Sequence, residues 1–507
     1  MSVEKKYILV IDEGTTSVRS LLFDRAMQIV GASQLNTTTY HPEKAGAEQD
    51  AMEIWEKTVR TMRGAVKDAG ADPEEIAAVA ITTQRATWTF WNRETGKPIR
   101  RSLVWSDSRA CYIKDRYLSD PAMMEKYPEL DAQFYYTDQH TPFILKYLTE
   151  KEPGLAEELG KETTIGGTVD TWLIYNLTGK KVHATCLSHA AMTMFYTFKT
   201  EDWNWDYVEQ IAGLRRSAMA QIKPDMYEYG TLTPDILGAE IPILSSIADQ
   251  HSALFCQGCH RKGQAKGTIG TGFFFNVNQG MDDPVFVRGY KTAFCWEIGD
   301  DRPYIFEGTL PVAGAALEWL RNQLKLIGHF SEMEPIATSV EDSGGIYFIP
   351  ALEALCNPPF GDVAMEGLFI GITAGNDQRH FVRAVLDGVS FICSFIILDS
   401  MEKMGAVNEL RIDGGVTRSD LICQTIANVT GVKMIRGKNP EATAMGTAEI
   451  SAIKLGWMTM EDVESFLTVE KVFLPNEDQE KNRKQYQWWL KVKERAGNWN
   501  PPVSENQ

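Results

Sequence analysis

Two glycine- and threonine-rich turns, Glu13-Gly14-Thr15-Thr16-Ser17 and Gly267-Thr268-Ile269-Gly270-Thr271-Gly272, each lie between short β-branched or aromatic runs, half a chain apart. Such turns are common, so an internal duplication and a coincidence both fit the repetition. It still supplies a division: one domain over residues 1–252 and a second over residues 253–507. A chain of 507 residues has room for two to four domains. No Pro/Ser-rich or low-complexity stretch marks the joint, which reads as a packed hinge and not a tether.

Around these turns, short strand-like runs alternate with longer helical patterns, the signature of an α/β protein. The chain opens with a hairpin, Tyr7–Asp12 against Arg19–Phe23, then a helix over Ala51–Ala69 and a strand over Ile76–Thr82. The second half predicts a helix over Pro311–Leu326, a strand over Gly345–Ile349 and a long helix over Asp377–Met404. Strand Glu409–Ile412, helix Ser419–Thr430, strand Val432–Ile435 and helix Ala442–Leu455 follow. The tail from Gln479, with Trp488, Trp489 and Trp499, reads as a capping helix and a frayed end.

Acidic side chains outnumber basic ones 68 to 51, a formal charge of −17. That balance argues against nucleic-acid or anionic-membrane partners. No uninterrupted apolar run approaches the roughly 18 residues of a membrane span. The apolar stretch after Lys6 stops at Asp12, too short for a secretory signal, so the expectation is a soluble cytoplasmic protein. Eight cysteines are too few for a disulfide scaffold. Cys256-Gln257-Gly258-Cys259-His260 matches a haem-attachment string, but without an export signal it reads as two packed thiols. His183, His189 and His251 lack metal-ligand spacing and read as neutral structural histidines.

No Walker-type phosphate loop and no strand–G-x-G-x-x-G–helix unit occurs. The first turn has two readings. As an anion site, Gly14 admits close approach, Thr15, Thr16 and Ser17 donate hydroxyls, Arg19 supplies a positive fork, and Asp12 holds a hydrated Mg²⁺. As structure, it is an ordinary hairpin turn. The same two readings apply to Gly267–Gly272. A third glycine site, Asp413-Gly414-Gly415, ends a strand and precedes a helix that Thr417 or Ser419 could cap. Taken together, three such turns imply a nucleotide held in a cleft between two halves.

With these turns in place, longer stretches become specific. Asp12–Ser17, Trp55, Gly167–Ile174, Ala248-Asp249-Gln250, Gly270-Thr271-Gly272, Asp413-Gly414-Gly415 and Glu441-Ala442-Thr443-Ala444-Met445-Gly446 follow one another in order. Gly367–Ile372 and His380–Asp387 complete a C-terminal signature. The chain thereby resembles the FGGY carbohydrate kinases, and within them is most similar to the glycerol kinases. The resemblance spans about residues 5 to 460.

It implies an α/β fold of two actin-like/ribonuclease-H-like ATPase domains with the active site in the cleft between them. It implies ATP and Mg²⁺, a small polyol or sugar as partner, and a homodimer or homotetramer. Asp249 would be the catalytic base, and its alternative is a helix N-cap. Thr15, Thr16, Ser17, Arg19, Gly270 and Thr271 would clamp phosphates, while Gly314, Glu318, Gly415 and Ser419 would line the nucleotide pocket. Arg85, Ala86, Trp105, His140, Asp249, Gln250 and Phe274 would form the substrate pocket.

The pattern departs at Ala86, where glycerol kinases carry a glutamate that accepts from a glycerol hydroxyl. Losing that partner typically costs about 1.5–3 kcal/mol. The smaller side chain also opens volume for a longer polyol or a ketose such as erythritol, erythrulose or xylulose. The loop Ala354–Pro359 departs as well. A different class, an actin-like ATPase without a sugar substrate, would share the nucleotide cradle but has no use for Trp105, Gln250 and Phe274.

Overall fold

The computed structural model describes residues 3–110, 113, 116–117, 119–126, 141–352, 365–438 and 441–497. His140, the 354–359 loop and Trp499 lie outside the described residues. The chain divides into two compact units. The first comprises Met1–Gly258, Ala293–Tyr304 and Glu441–Leu467; the second comprises Cys259–Thr292, Ile305–Pro440 and Thr468–Gln507. The division expected at 252/253 therefore falls after Gly258, and two later segments return to the first unit. A single cut by sequence position cannot represent a chain that doubles back.

In the first unit, Tyr7–Glu13 is buried along almost its whole length, as a central strand must be. It pairs antiparallel with Ser17–Asp24, which pairs with Ile29–Asn36. On its other side it runs parallel to Ile76–Thr83, which runs parallel to Ile241–Ala248. Numbered along the unit, the spatial order is 3-2-1-4-5, with Thr231–Leu232 added beyond the fifth strand. The second unit repeats this order with Gln264–Ile269, Phe273–Gly280, Tyr304–Leu310, Glu409–Asp413 and Lys433–Gly437 as strands 1 to 5. Lys291–Phe294 and Val469–Phe473 extend its edges. The recurrence turns the suggestion of a duplicated half into a ribonuclease-H-like sheet built twice.

The opening hairpin and the helix Ala51–Ala69 form as the sequence dictates. Asp50 caps that helix by accepting from the Met52 and Glu53 amides, and Gly70 closes it in the left-handed region. Other boundaries shift. Gly267 and Thr268 belong to the strand Gln264–Ile269, so the second turn is only Gly270–Gly272. The helix expected over Pro311–Leu326 is confined to Gly314–Asn322.

Each unit has its own core. Trp91 and Trp172 meet edge-on at 5.1 Å in the first. In the second, Gln378–Met404 runs through the core, and Trp489 of the terminal helix Gln479–Gly497 donates to the Phe348 carbonyl at 2.9 Å. Gln378–Met404 is also long and apolar enough to cross a bilayer, with a mean hydropathy of 2.0 over its most apolar window. Arg383 and Asp387 interrupt the apolar run, so counting uninterrupted residues misses it. With 83% of that window buried, the apolar face is already occupied by protein.

Candidate active site

In the first unit the polar residues collect at the carboxyl ends of parallel strands, where open α/β sheets bind ligands. Asp12 closes strand 1, and the ladder places Arg19 directly opposite it. Arg19 Nη2 donates to Asp12 Oδ2, while its Nη1 donates to Glu441 Oε2 at 2.6 Å. Burial pushes the Asp12 carboxyl up to about 6, with Arg19 opposing and the charges of Asp249 and Glu441 reinforcing the rise. The sequence places Glu441 in the family resemblance but gives no sign of this pairing, because 422 residues separate it from Arg19.

The hydroxyls of the first turn do not act as one cluster. Gly14 N donates to the Ser17 carbonyl at 2.9 Å, which closes the turn. Thr15 Oγ1 accepts from Trp105 Nε1 at 2.9 Å and donates to Gln84 Oε1 at 3.3 Å. Thr16 is exposed, and the Ser17 hydroxyl accepts from Gln34 Nε2 at 3.1 Å. Beneath Thr15, Gln84 Nε2 donates to Glu13 Oε1 at 3.0 Å and to Gln49 Oε1 at 2.8 Å. Glu13 is fully buried, which holds its carboxyl well above the usual range. Glu13, Gln49 and Gln84 are thus a supporting layer whose only sequence signal was the carboxylate adjacent to Asp12.

Asp249 follows strand 5 as the first residue of the helix Asp249–Cys256. The cap position is Ala248, so the N-cap alternative for Asp249 is corrected. Its Oδ1 accepts from the Gln250 amide at 2.7 Å, an interaction with the first turn of the helix. Arg85, just past strand 4, brings Nε to 3.7 Å from the same oxygen. Arg85 and Asp249 are 10% and 26% exposed at their side chains, enough to meet a small ligand without being bathed in water. Ala86 follows with a φ of 59°, in the left-handed region.

The structure therefore brings Arg85, Asp249 and Gln250 together, and Thr15 with Trp105. Phe274 lies half-buried in the second unit on the strand Phe273–Gly280. His140 falls outside the described residues.

Behind Asp249 lies a buried polar layer. The Ala248 amide donates to Ser188 Oγ at 3.0 Å, and Asp225 accepts from the Ser188 and Glu297 amides. Ligand atoms of Asp170, Cys186 and His189 lie within 4.8 Å of one another. Asp170, however, accepts from the hydroxyls of Thr168, Thr185 and Ser246 and from the Cys186 amide, which occupies its oxygens with protein donors. His183 pairs with the Gly166 carbonyl at 2.9 Å, and burial lowers its pKa to about 4, keeping it neutral. His251 pairs with the Cys295 carbonyl. Cys256 and Cys259 are buried thiols, and burial raises Cys259 to about 12.

The second unit contains a cavity of about 550 Å³, within the range of small-ligand sites. Gly270, Thr271, Gly314, Glu318, Gly415 and Ser419 all line it. The turn is knit to the helix Gly314–Asn322, with Gly314 N donating to the Gly270 carbonyl at 2.9 Å. A Cβ on Gly314 would lie 2.4 Å from that carbonyl oxygen, so only glycine fits. Gly414, at a φ of 96°, packs against Ile269 and turns the chain past strand 4. Ser419 Oγ accepts from the Ile422 amide at 3.3 Å and so caps the helix Asp420–Thr430, resolving the choice between Thr417 and Ser419. An apolar wall of Leu317, Phe330, Met333 and Val416 completes the cavity. Sequence reading missed Phe330 and Met333, which carry no local motif.

Residues 7–256 match the N-terminal domain of the FGGY family of carbohydrate kinases, and residues 265–455 match its C-terminal domain. This chain belongs to the FGGY family of carbohydrate kinases. It is an ATP-dependent kinase of the sugar and polyol class. Glycerol kinase 2 of Thermotoga maritima is 35% identical over 502 residues, covering 97% of this chain and 99% of that protein. A crystal structure of the Plasmodium falciparum glycerol kinase with ADP superimposes with a TM-score of 0.89 at 27% identity, covering 99% and 100% of the two chains. A ligand-bound xylulose kinase from Lactobacillus acidophilus gives 0.85 at 17% identity, covering 97% and 98%, a likeness of fold alone. The two matches cover strands 1 to 5 of each sheet, apart from Gln264, and every glycine turn described above, while the edge strand Val469–Phe473 lies beyond them.

Proposed function

We propose that the protein transfers the γ-phosphoryl group of ATP to a primary hydroxyl of a small polyol in the cytoplasm, with glycerol as the first acceptor to test. One observation carries the reading: a partly exposed carboxylate, Asp249, at a helix start beside Arg85 and in the electrostatic field of a buried Asp12. Asp249 accepts the proton of the attacking hydroxyl, and Arg85 orients both the carboxylate and the acceptor. Trp105 supplies a flat apolar wall, its indole fixed by Thr15.

In the second unit, the cavity offers glycine backbone for phosphates and an apolar wall for a base. That pairing matches a nucleotide such as the ADP named with the Plasmodium relative. The oxygen-only donor chemistry around Asp12 suits a hard divalent cation. Magnesium, bound with the nucleotide through Asp12, would supply charge neutralisation across the phosphates. Arg19, Thr16 and the Gly14 turn hold the anion on the protein side.

Ala86 favours a second reading, a longer polyol or ketose as the preferred acceptor, since a methyl group replaces the glycerol-binding glutamate of the similar kinases. The test is ADP release measured against C3–C6 polyols, ketoses and sugar acids. Acceptor-dependent turnover with a phosphorylated product supports the proposal, and the ranking separates glycerol from longer substrates. ADP release indifferent to every acceptor would overturn it in favour of a plain ATPase. The assembly to test by light scattering is a homodimer or homotetramer.

A further inference from the structure

The stretch Glu441–Gly446 belongs to the family resemblance but has no task in the chemistry above. We propose that Glu441 is a positioning residue for the nucleotide site: it retains Arg19 while a divalent cation engages the Asp12 carboxylate. The inference rests on the proposed roles of Asp12 and Arg19.

Asp12 and Arg19 face each other across an antiparallel ladder, which puts the guanidinium within reach of the carboxylate, and the two form an ion pair. A guanidinium bound to Asp12 alone would compete with any cation for the same oxygens. The planar fork can serve two carboxylates at once, and here its second arm goes to Glu441 at 2.6 Å. With that anchor, Arg19 yields Asp12 to the cation without losing its charge partner or its orientation toward phosphate. The Glu441 carboxylate also adds negative potential beside Asp12, which draws a cation in.

Glu441 is itself firmly placed. It immediately precedes the helix Ala442–Lys454, which packs closely on Asp249–Cys256. A Cβ on Gly446 would stand 2.1 Å from the Ser252 carbonyl oxygen, so glycine is what permits this approach. Ser252 Oγ bonds the Thr443 carbonyl at 2.6 Å and Thr447 Oγ1 at 2.7 Å, and Ser245 Oγ meets Ser451 Oγ at 2.7 Å. One returning segment of the first unit therefore touches both charged ends of the site, Arg19–Asp12 through Glu441 and the Asp249 helix through Gly446.

The test uses the full-length enzyme, Mn²⁺ and a non-hydrolysable ATP analogue, with bound Mn²⁺ read by electron paramagnetic resonance. Glu441→Gln should weaken Mn²⁺ binding about tenfold, the scale of one charge-assisted contact. It should raise the Mg²⁺ half-saturation and the ATP KM while leaving the acceptor KM in place. Glu441→Asp should recover part of the loss, and Glu441→Gln should add nothing in an Arg19→Gln background. Ser451→Ala, on the same helix but away from the ion pair, should alter Tm alone. Wild-type Mn²⁺ affinity in Glu441→Gln, or an equal loss in Ser451→Ala, would overturn the role of Glu441. Failure of the wild type to bind the Mn²⁺–analogue pair would instead overturn the nucleotide reading beneath it.

Discussion

Ala86 is a non-glycine residue in the left-handed region next to Arg85, and that conformation costs an L-residue about 1–2 kcal/mol. The backbone there is bent for the site and not for the strand that precedes it. Ala86→Gly should therefore stabilise the protein by about 1 kcal/mol, seen as a Tm higher by about 1–2 °C. A Tm at or below that of wild type would show the strain to be absent. Ala86→Glu should shift preference toward glycerol over longer polyols, measured as a ratio of kcat/KM values. An unchanged ratio would remove residue 86 from acceptor choice. The identity of these residues is legible in the sequence, because Asp249 and the glycine turns sit in ordered motifs. Their pairing is not: Arg85 meets Asp249, and Arg19 meets Glu441, only after distant strands are laid side by side.

At the scale of elements, the sequence pattern recovered the first helix because it buries one continuous face, and the first strand and the long core helix because they are apolar along most of their length. Boundaries failed where glycine reads as a turn but lies in a strand, as at Gly267, or where a helix start is set by a tertiary contact, as at Gly314. The seam between Asp249–Cys256 and Ala442–Lys454 was invisible for the same reason. Gly446 gives no local signal that a neighbouring carbonyl lies against it. Gly446→Ala should destabilise the fold by roughly 1–3 kcal/mol through forced separation of these helices. Denaturant unfolding checks this, and a stability within error of wild type would show that the seam yields freely.

At the scale of the whole molecule, the sequence suggested two halves, and the repeated 3-2-1-4-5 order supplies the reason. It did not reveal that residues 293–304 and 441–467 return to the first unit, since only contacts show that. Burial in that unit also sets a pH dependence. The Asp225 carboxyl is pushed from 3.8 up to about 7, chiefly by burial. The folded state holds this proton more tightly than the unfolded chain does. Its contribution is complete below the unfolded value and is lost as pH rises toward about 7. The slope is at most about 1.4 kcal/mol per pH unit. Asp225→Asn should remove that falling limb from the stability–pH profile, and an unaltered profile would mean Asp225 ionises freely.

The central claim is that Asp249 takes the acceptor's proton during phosphoryl transfer, and a single-turnover measurement on Asp249→Asn tests it most directly. With saturating ATP and the best acceptor, the variant should bind nucleotide as wild type does while transfer falls by about 10²–10⁴-fold, the usual contribution of a positioned base. Transfer at a near-normal rate, with nucleotide binding equally intact, would contradict the account.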